Sequence, residues 1–308
     1  MWYLQKPTKK ELDDYVEYMS DKVKSTTDYA EFKPYLECEI FGHRYDFVKM
    51  LLRSEPQYHM ALNRFLMNRI CNNGNQAEAK KNDLKKVFNY QSFISADKDF
   101  SYRLSNLKKT NACPYCNRQY ILTIETESDG VFLHIARPHF DHWYGKANYP
   151  LLALSFYNLI PSCAVCNSSI KGSDFMDVAT HVHPYCQKFG YEPQFKFKAL
   201  FTGDKDFMLY TTKSPSPQEE AMKKAFCIEE CYRYHEKLEA KDVVSLAVQR
   251  PDIHQQSIIN DILAALKHKV SSDELIRRIF GIEIEAARQN DRPMSKLKKD
   301  LLEQFHVI

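Results

Sequence analysis

The sequence predicts an α+β fold, with a strand-bearing core set between an N-terminal and a C-terminal helical region. Three observations predict it. Two C-x-x-C pairs, Cys113/Cys116 and Cys163/Cys166, bracket a middle segment. Inside that segment, β-rich runs are separated by turn signals. Before and after it, apolar residues recur at helical spacing. The organisation expected is a helical region over residues 1–110, a core over 111–215 and a second helical region over 216–308.

Bulk quantities bound the rest. The 308 residues are 44% hydrophobic and 27% charged, an ordinary globular composition. The formal net charge of +3 fits nucleic-acid contact without arguing for it. No apolar run is long enough to span a membrane, and the opening Met-Trp-Tyr-Leu-Gln-Lys carries no secretory pattern. Nine cysteines, an odd number with metal-type spacing, point to a reducing compartment, so a cytoplasmic location is expected. Cys38, Cys71, Cys186, Cys227 and Cys231 show no disulfide framework.

In the N-terminal region, Thr8 with Glu11 forms a capping box, and Leu12, Tyr15, Val16 and Met19 follow at helical spacing. Further helices are expected from about Tyr45 to Leu52 and from Pro56 to Cys71, the latter stopped by Asn72-Asn73-Gly74. The basic tract Lys80–Lys86 reads first as a solvated helix face, and second as a phosphate contact. Asp99–Lys109 leads into the first cysteine pair, with Phe100 and Tyr102 expected to pack against the core.

The cysteines set the geometry of that core. A C-x-x-C turn is tight enough to aim two thiolates at one point, and two such turns complete the closed tetrahedral shell of a structural zinc ion. Buried reduced cysteines and a redox pair are the alternatives. A redox motif needs one pair beside a thioredoxin-like βαβ pattern, and no such pattern is visible. Within the bracket, Gln119–Glu125 and Val131–Ala136, joined through Ser128-Asp129-Gly130, read as a hairpin. Asp141 and His142 follow it. A buried stretch, LLALSFYNLIP, then carries Asn158 to the second cysteine pair, and a helix opens after Cys166. Hairpin, Asp-His dipeptide and helix make a ββα unit.

Beyond the core, Gln194–Phe201 and Phe207–Thr212 alternate like paired strands across Gly203-Asp204, and are expected to extend its sheet. Helices are then expected over Gln218–Phe226, Glu229–Val248, Pro251–Lys267 and Asp273–Arg288. A final basic amphipathic helix begins in the segment Arg292–Leu297, its charges reading as a solvated face. No P-loop is present, so any ATP dependence would come from a partner.

The bracketed segment resembles the zinc-stapled branch of the HNH, or ββα-metal, endonucleases, whose motif runs approximately CPYC…DH…NL-P-C-x-x-CN…K. Cys113, Cys116, Asp141, His142, Asn158, Leu159, Pro161, Cys163, Cys166, Asn167 and Lys171 carry the resemblance. It implies structural zinc on the four cysteines and a catalytic Mg²⁺ or Mn²⁺ held by Asp141 and Asn167. It further implies His142 as the general base and Asn158 as the residue that orients it. Asn167 stands where many members have a histidine, and Gly145 where a proline is common. Lys171, and His183 in its His-Pro-Tyr sequence, are implied nucleic-acid contacts. The helical arms and the closing Lys-Leu-rich helix are similar to the HNH subunit of Septu-type antiphage systems and related retron effectors. This likeness implies an ABC- or SMC-like ATPase partner and a defence role.

The residue types suit phosphodiester hydrolysis without the family name. A neutral imidazole can take a proton from water at cellular pH. A hard divalent ion held by a carboxylate and an amide oxygen can offset charge at the phosphate. Each residue also has a plainer reading. Asp-His pairs occur in surface turns, Asn158 can bond its own backbone in a turn, Asn167 can cap a helix, and His139 can be a packed or solvated loop histidine. The joint occurrence between two cysteine pairs favours the endonuclease, with DNA preferred over RNA as substrate. A zinc-stapled nucleic-acid-binding or scaffold module that does not cleave is the alternative. A hydrolase with catalytic zinc is disfavoured, since four thiolates leave no open coordination position.

Overall fold

The computed structural model of the chain describes residues 2–71, 77–128, 130–172, 176–188, 190–203, 206–248, 271–306 and 308. It is an α+β structure of helices and small antiparallel sheets. The chain divides into two compact units, Leu4–Lys109 with Leu122–Gln187, and Met1–Tyr3 with Thr110–Ile121 and Lys188–Ile308. No helix among the described residues is long and apolar enough to cross a membrane.

In the first of these units, α1 (Lys9–Lys24) opens on the expected capping box, with the Thr8 side chain bonded to the Glu11 backbone and the Glu11 carboxylate to the Thr8 backbone. Its Tyr15, Val16, Met19 and Val23 are buried. After α2 (Tyr29–Leu36) comes a hairpin that sequence patterning missed, β1 (Glu37–Ile40) with β2 (His43–Asp46). Tyr45 therefore belongs to a strand. The helix expected there, α3 (Phe47–Arg53), starts later because the Asp46 side chain caps it by accepting from the Lys49 N–H. α4 (Pro56–Ile70) has Pro56 in its first turn as expected, and its expected stop at Asn72-Asn73-Gly74 lies outside the described residues. On α5 (Ala77–Val87) the basic tract is a solvated face laced with acids, Lys80 meeting Glu31, Lys81 meeting Glu78 and Lys86 meeting Asp83.

α6 (Lys98–Leu107), capped by Asp97, turns Phe100 onto Tyr15 and Tyr18 of α1 and Tyr102 onto His134. Of the two aromatic residues expected to pack against the core, Phe100 meets two rings of α1 and Tyr102 meets His134. A long hairpin follows, β3 (Ile124–Ser128) with β4 (Val131–Ala136). It starts five residues later than expected. Gln119–Ile121 belong instead to the first cysteine turn, where the Cys113 N–H donates to the Gln119 carbonyl (3.0 Å) and Ile121 to Asn111 (2.7 Å). The Asp-His dipeptide lies on a further strand, β5 (His139–His142), paired antiparallel with β6 (Leu159–Ser162) so that Asp141 faces Ile160 and His142 faces Leu159. A π-helical turn, Val165–Ile170, follows β6. The hairpin read from the sequence, β3 with β4, is thus a separate two-stranded sheet from β5 with β6. Two single 3₁₀ turns, Pro150–Leu152 and Phe156–Asn158, bring the buried stretch from β5 to β6.

In the other unit, β7 (Phe197–Phe201) and β8 (Phe207–Thr211) pair as a two-stranded sheet of their own, and do not extend another sheet as expected. Side chains from helices satisfy both free edges. Asp300 and Gln304 accept from the N–H groups of Phe197 and Ala199 on β7, while Glu236 and Glu229 accept from Leu209 and Thr211 on β8. α7 (Pro217–Ala225) is capped by Ser216. The single helix expected over Glu229–Val248 is broken into α8 (Ile228–Arg233), a π turn (Glu236–Ala240) and α9 (Lys241–Val248), with non-helical backbone at Leu238. The expected Pro251–Lys267 helix lies outside the described residues. α10 (Ser272–Phe280) stops at Gly281, whose φ of +65° makes the left-handed cap, well short of the expected Arg288. The last helix, α11, spans Ser295–Gln304. Its charges are not all solvated: Lys296 and Asp300 are fully buried and paired, and Lys296 also reaches Glu192.

Candidate metal centre and catalytic cleft

Cys113, Cys116, Cys163 and Cys166 are buried, and their thiol sulfurs lie within 4.8 Å of one another. A tetrahedral ion with bonds of about 2.3 Å would draw four sulfurs to roughly 3.8 Å apart, so only a small contraction separates this cluster from a loaded site. The two pairs share local geometry. Asn117 donates to the Cys113 carbonyl (2.7 Å) and Asn167 to the Cys163 carbonyl (3.0 Å). A backbone N–H also points at sulfur in each, Arg118 to Cys116 and Cys166 to Cys163, both at 3.4 Å. Such donors stabilise thiolate over thiol. Asn117 adopts φ +51°, the left-handed conformation that a tight turn demands and asparagine tolerates. The cluster can hold a structural metal such as zinc.

A second site is built on β5 and the turn after β6. A cleft of about 900 Å³ is lined by Tyr90, Arg137, His139, Asp141, His142, Lys146, Asn167 and Lys171, with Lys98 further along. Asp141 is the one carboxylate among its lining residues, against four cations. Such a cleft attracts polyanions.

His142 is buried and held from two sides. Its Nε2 lies 3.1 Å from the Ala153 carbonyl, and its ring meets Tyr90 edge to face at 4.5 Å. A carbonyl only accepts, so Nε2 carries the hydrogen and Nδ1 keeps the lone pair. Burial, with the charges of Lys146 and Lys171, holds the His142 pKa down at about 3. The ring is therefore neutral throughout the physiological range.

Asp141 is almost fully buried and receives the Lys171 ammonium at 3.0 Å, while the same ammonium donates to the His142 carbonyl at 2.8 Å. Lys171, with 3% of its surface exposed, thus bridges the two residues of the dipeptide at the edge of the cleft. Asn158 touches the backbone around His142. Its side chain accepts from the Tyr144 N–H (2.8 Å) and donates to the carbonyls of Tyr144 (3.1 Å) and Leu152 (2.9 Å). It pins the chain after His142 and the chain before Ala153, which together set the ring. Asn167 is near His139, amide nitrogen to Nδ1 at 3.4 Å.

His183 is not brought to the cleft. It is buried at 1% exposure against Trp143 and Tyr185, and burial pushes its pKa well below the ordinary histidine range. Sequence reasoning missed Tyr90, Arg137, Lys146 and the Ala153 carbonyl. Lys146, four residues after His142 and over the Tyr90 ring at 4.4 Å, had only its charge as a signal. A backbone carbonyl carries none. In comparisons with protein-family models, curated proteins and solved structures, the chain has no match.

Proposed function

We propose that the chain is a metal-dependent endonuclease of the HNH type that hydrolyses phosphodiester bonds in nucleic acid, DNA ahead of RNA. One observation carries this reading: a neutral histidine, fixed with Nδ1 as acceptor, adjoins a buried carboxylate in a cleft whose other charges are cationic. His142 Nδ1 takes a proton from water, and the water oxygen attacks phosphorus. The cations offset the charge that grows on the phosphoryl oxygens. Asp141 and Asn167 would hold a divalent ion, Mg²⁺ or Mn²⁺, whose chemistry is to stabilise the leaving oxygen. Lys171 and Asn158 hold the acid and the base in register. The four cysteines would carry zinc purely to brace the fold, in a cytoplasm that keeps thiols reduced. By its sequence resemblance the protein is further an effector of bacterial antiphage defence, working beside an ABC- or SMC-like ATPase.

The test is cleavage of plasmid, single-stranded DNA and total RNA by the purified chain, with Mg²⁺ or Mn²⁺ against chelator and His142→Ala as control. Cutting that needs both metal and His142 is expected. A folded, zinc-loaded chain that binds nucleic acid and never cuts it, with the ATPase partner or without, would make it a binding module.

A further inference from the structure

In a strand, residues i and i+2 project from one face about 7 Å apart. His139 and Asp141 of β5 stand in that relation, and His139 is exposed to the cleft that Asp141 and Asn167 also line. The Asn167 amide lies 3.4 Å from His139 Nδ1. Two ligands at right angles on one six-coordinate ion, with bonds of about 2.1 Å, sit roughly 3 Å apart, so this separation is close to that of neighbouring ligands. Rotating the Asn167 amide by a half turn presents its oxygen in place of its nitrogen, with the Ser168 hydroxyl, now 3.4 Å from that nitrogen, able to donate instead of accept.

Donor chemistry points the same way. Hard ions such as Mg²⁺ are held mainly by carboxylates and water, and this cleft offers one carboxylate, already shared with Lys171, among four cations. An imidazole adds affinity without adding charge, and it does so for transition ions far more than for Mg²⁺. We propose that His139, through Nδ1, is a third ligand of the divalent ion held by Asp141 and Asn167, and that the site therefore prefers Mn²⁺ to Mg²⁺. This rests on the metal-dependent hydrolase proposed above.

The experiment measures Mn²⁺ binding to the full, zinc-replete chain by the electron paramagnetic resonance of free Mn²⁺, with Mg²⁺ as competitor. One Mn²⁺ beyond the zinc is expected. His139→Ala should weaken it on the order of tenfold or more, since even the loss of an outer partner of a ligand costs that much. His139→Gln, which keeps size and offers an amide oxygen, should retain an ion but narrow the preference for Mn²⁺ over Mg²⁺. Unchanged zinc content in both variants reports that they fold. Wild-type Mn²⁺ affinity and preference in both variants overturn the assignment of His139 and leave the hydrolase standing. Wild-type protein with no Mn²⁺ site sensitive to Asp141→Asn overturns the metal-dependent hydrolase along with it.

Discussion

The cysteine cluster and the cleft are both built from residues of the same short segment, yet they are opposite kinds of site. The cluster is buried, its four donors lie within 4.8 Å of one another with backbone N–H groups beside two of them, and a metal held by all four would have no position left for a substrate. The cleft is open, poor in carboxylates and rich in cations, and the His142 ring beside it is held by a carbonyl at one nitrogen. The cleft also needs supports that the cluster does not: Lys171 on Asp141, and Asn158 on the backbone either side of the ring.

The largest expected effect breaks the closed site. Cys163→Ser should abolish zinc binding and unfold the protein, because metal binding at such a site is folding free energy; zinc content and far-UV circular dichroism check it. Next, His142→Ala should lower the cleavage rate by a factor on the order of 10² to 10⁴ while zinc content and thermal midpoint hold. A mutant that cuts at the wild-type rate removes His142 from the chemistry. Lys171→Met tests whether the bridge is structural. It removes the ammonium from the buried Asp141 carboxylate and should cost about 3 kcal/mol in urea unfolding; no loss would mean that other contacts hold Asp141.

The histidines behind the cleft give a pH signature that the cysteines do not. Burial holds His59 at about 4 and pushes His183 well below the ordinary histidine range, both neutral in the folded state. The unfolded chain binds their protons from pH 6.5 downward, so stability is complete above that value and falls with acid through the window to pH 4 and below. The loss should reach roughly 3 kcal/mol for His59 alone. Midpoints of denaturant unfolding at pH 7, 5.5 and 4.5 follow it, and a flat profile would mean these rings are already charged. The smallest effect is on binding. Lys146→Gln, measured without metal, should weaken nucleic-acid affinity a few-fold and reduce the salt slope by about one.

Features that depend on residues within a few positions were legible before any coordinates. The Thr8 capping box, Pro56 in a first helical turn, the β7 and β8 runs and the two cysteine turns each follow from local backbone requirements. The Asp-His dipeptide and Asn158 were also visible as candidates, because their residue types and order are distinctive. What only the tertiary structure decided depends on partners far away in the sequence. β5 pairs with β6 across the buried stretch, although neither four-residue strand has a pattern long enough to read. Lys171 bridges the dipeptide because folding buries it beside Asp141, and His183 is withdrawn because Trp143 and Tyr185 enclose it. Lys296 is a core residue because Asp300 and Glu192 meet it there. A lysine's place on the surface or in the interior is set by whether a carboxylate waits inside to offset its desolvation, and no local stretch of sequence records that.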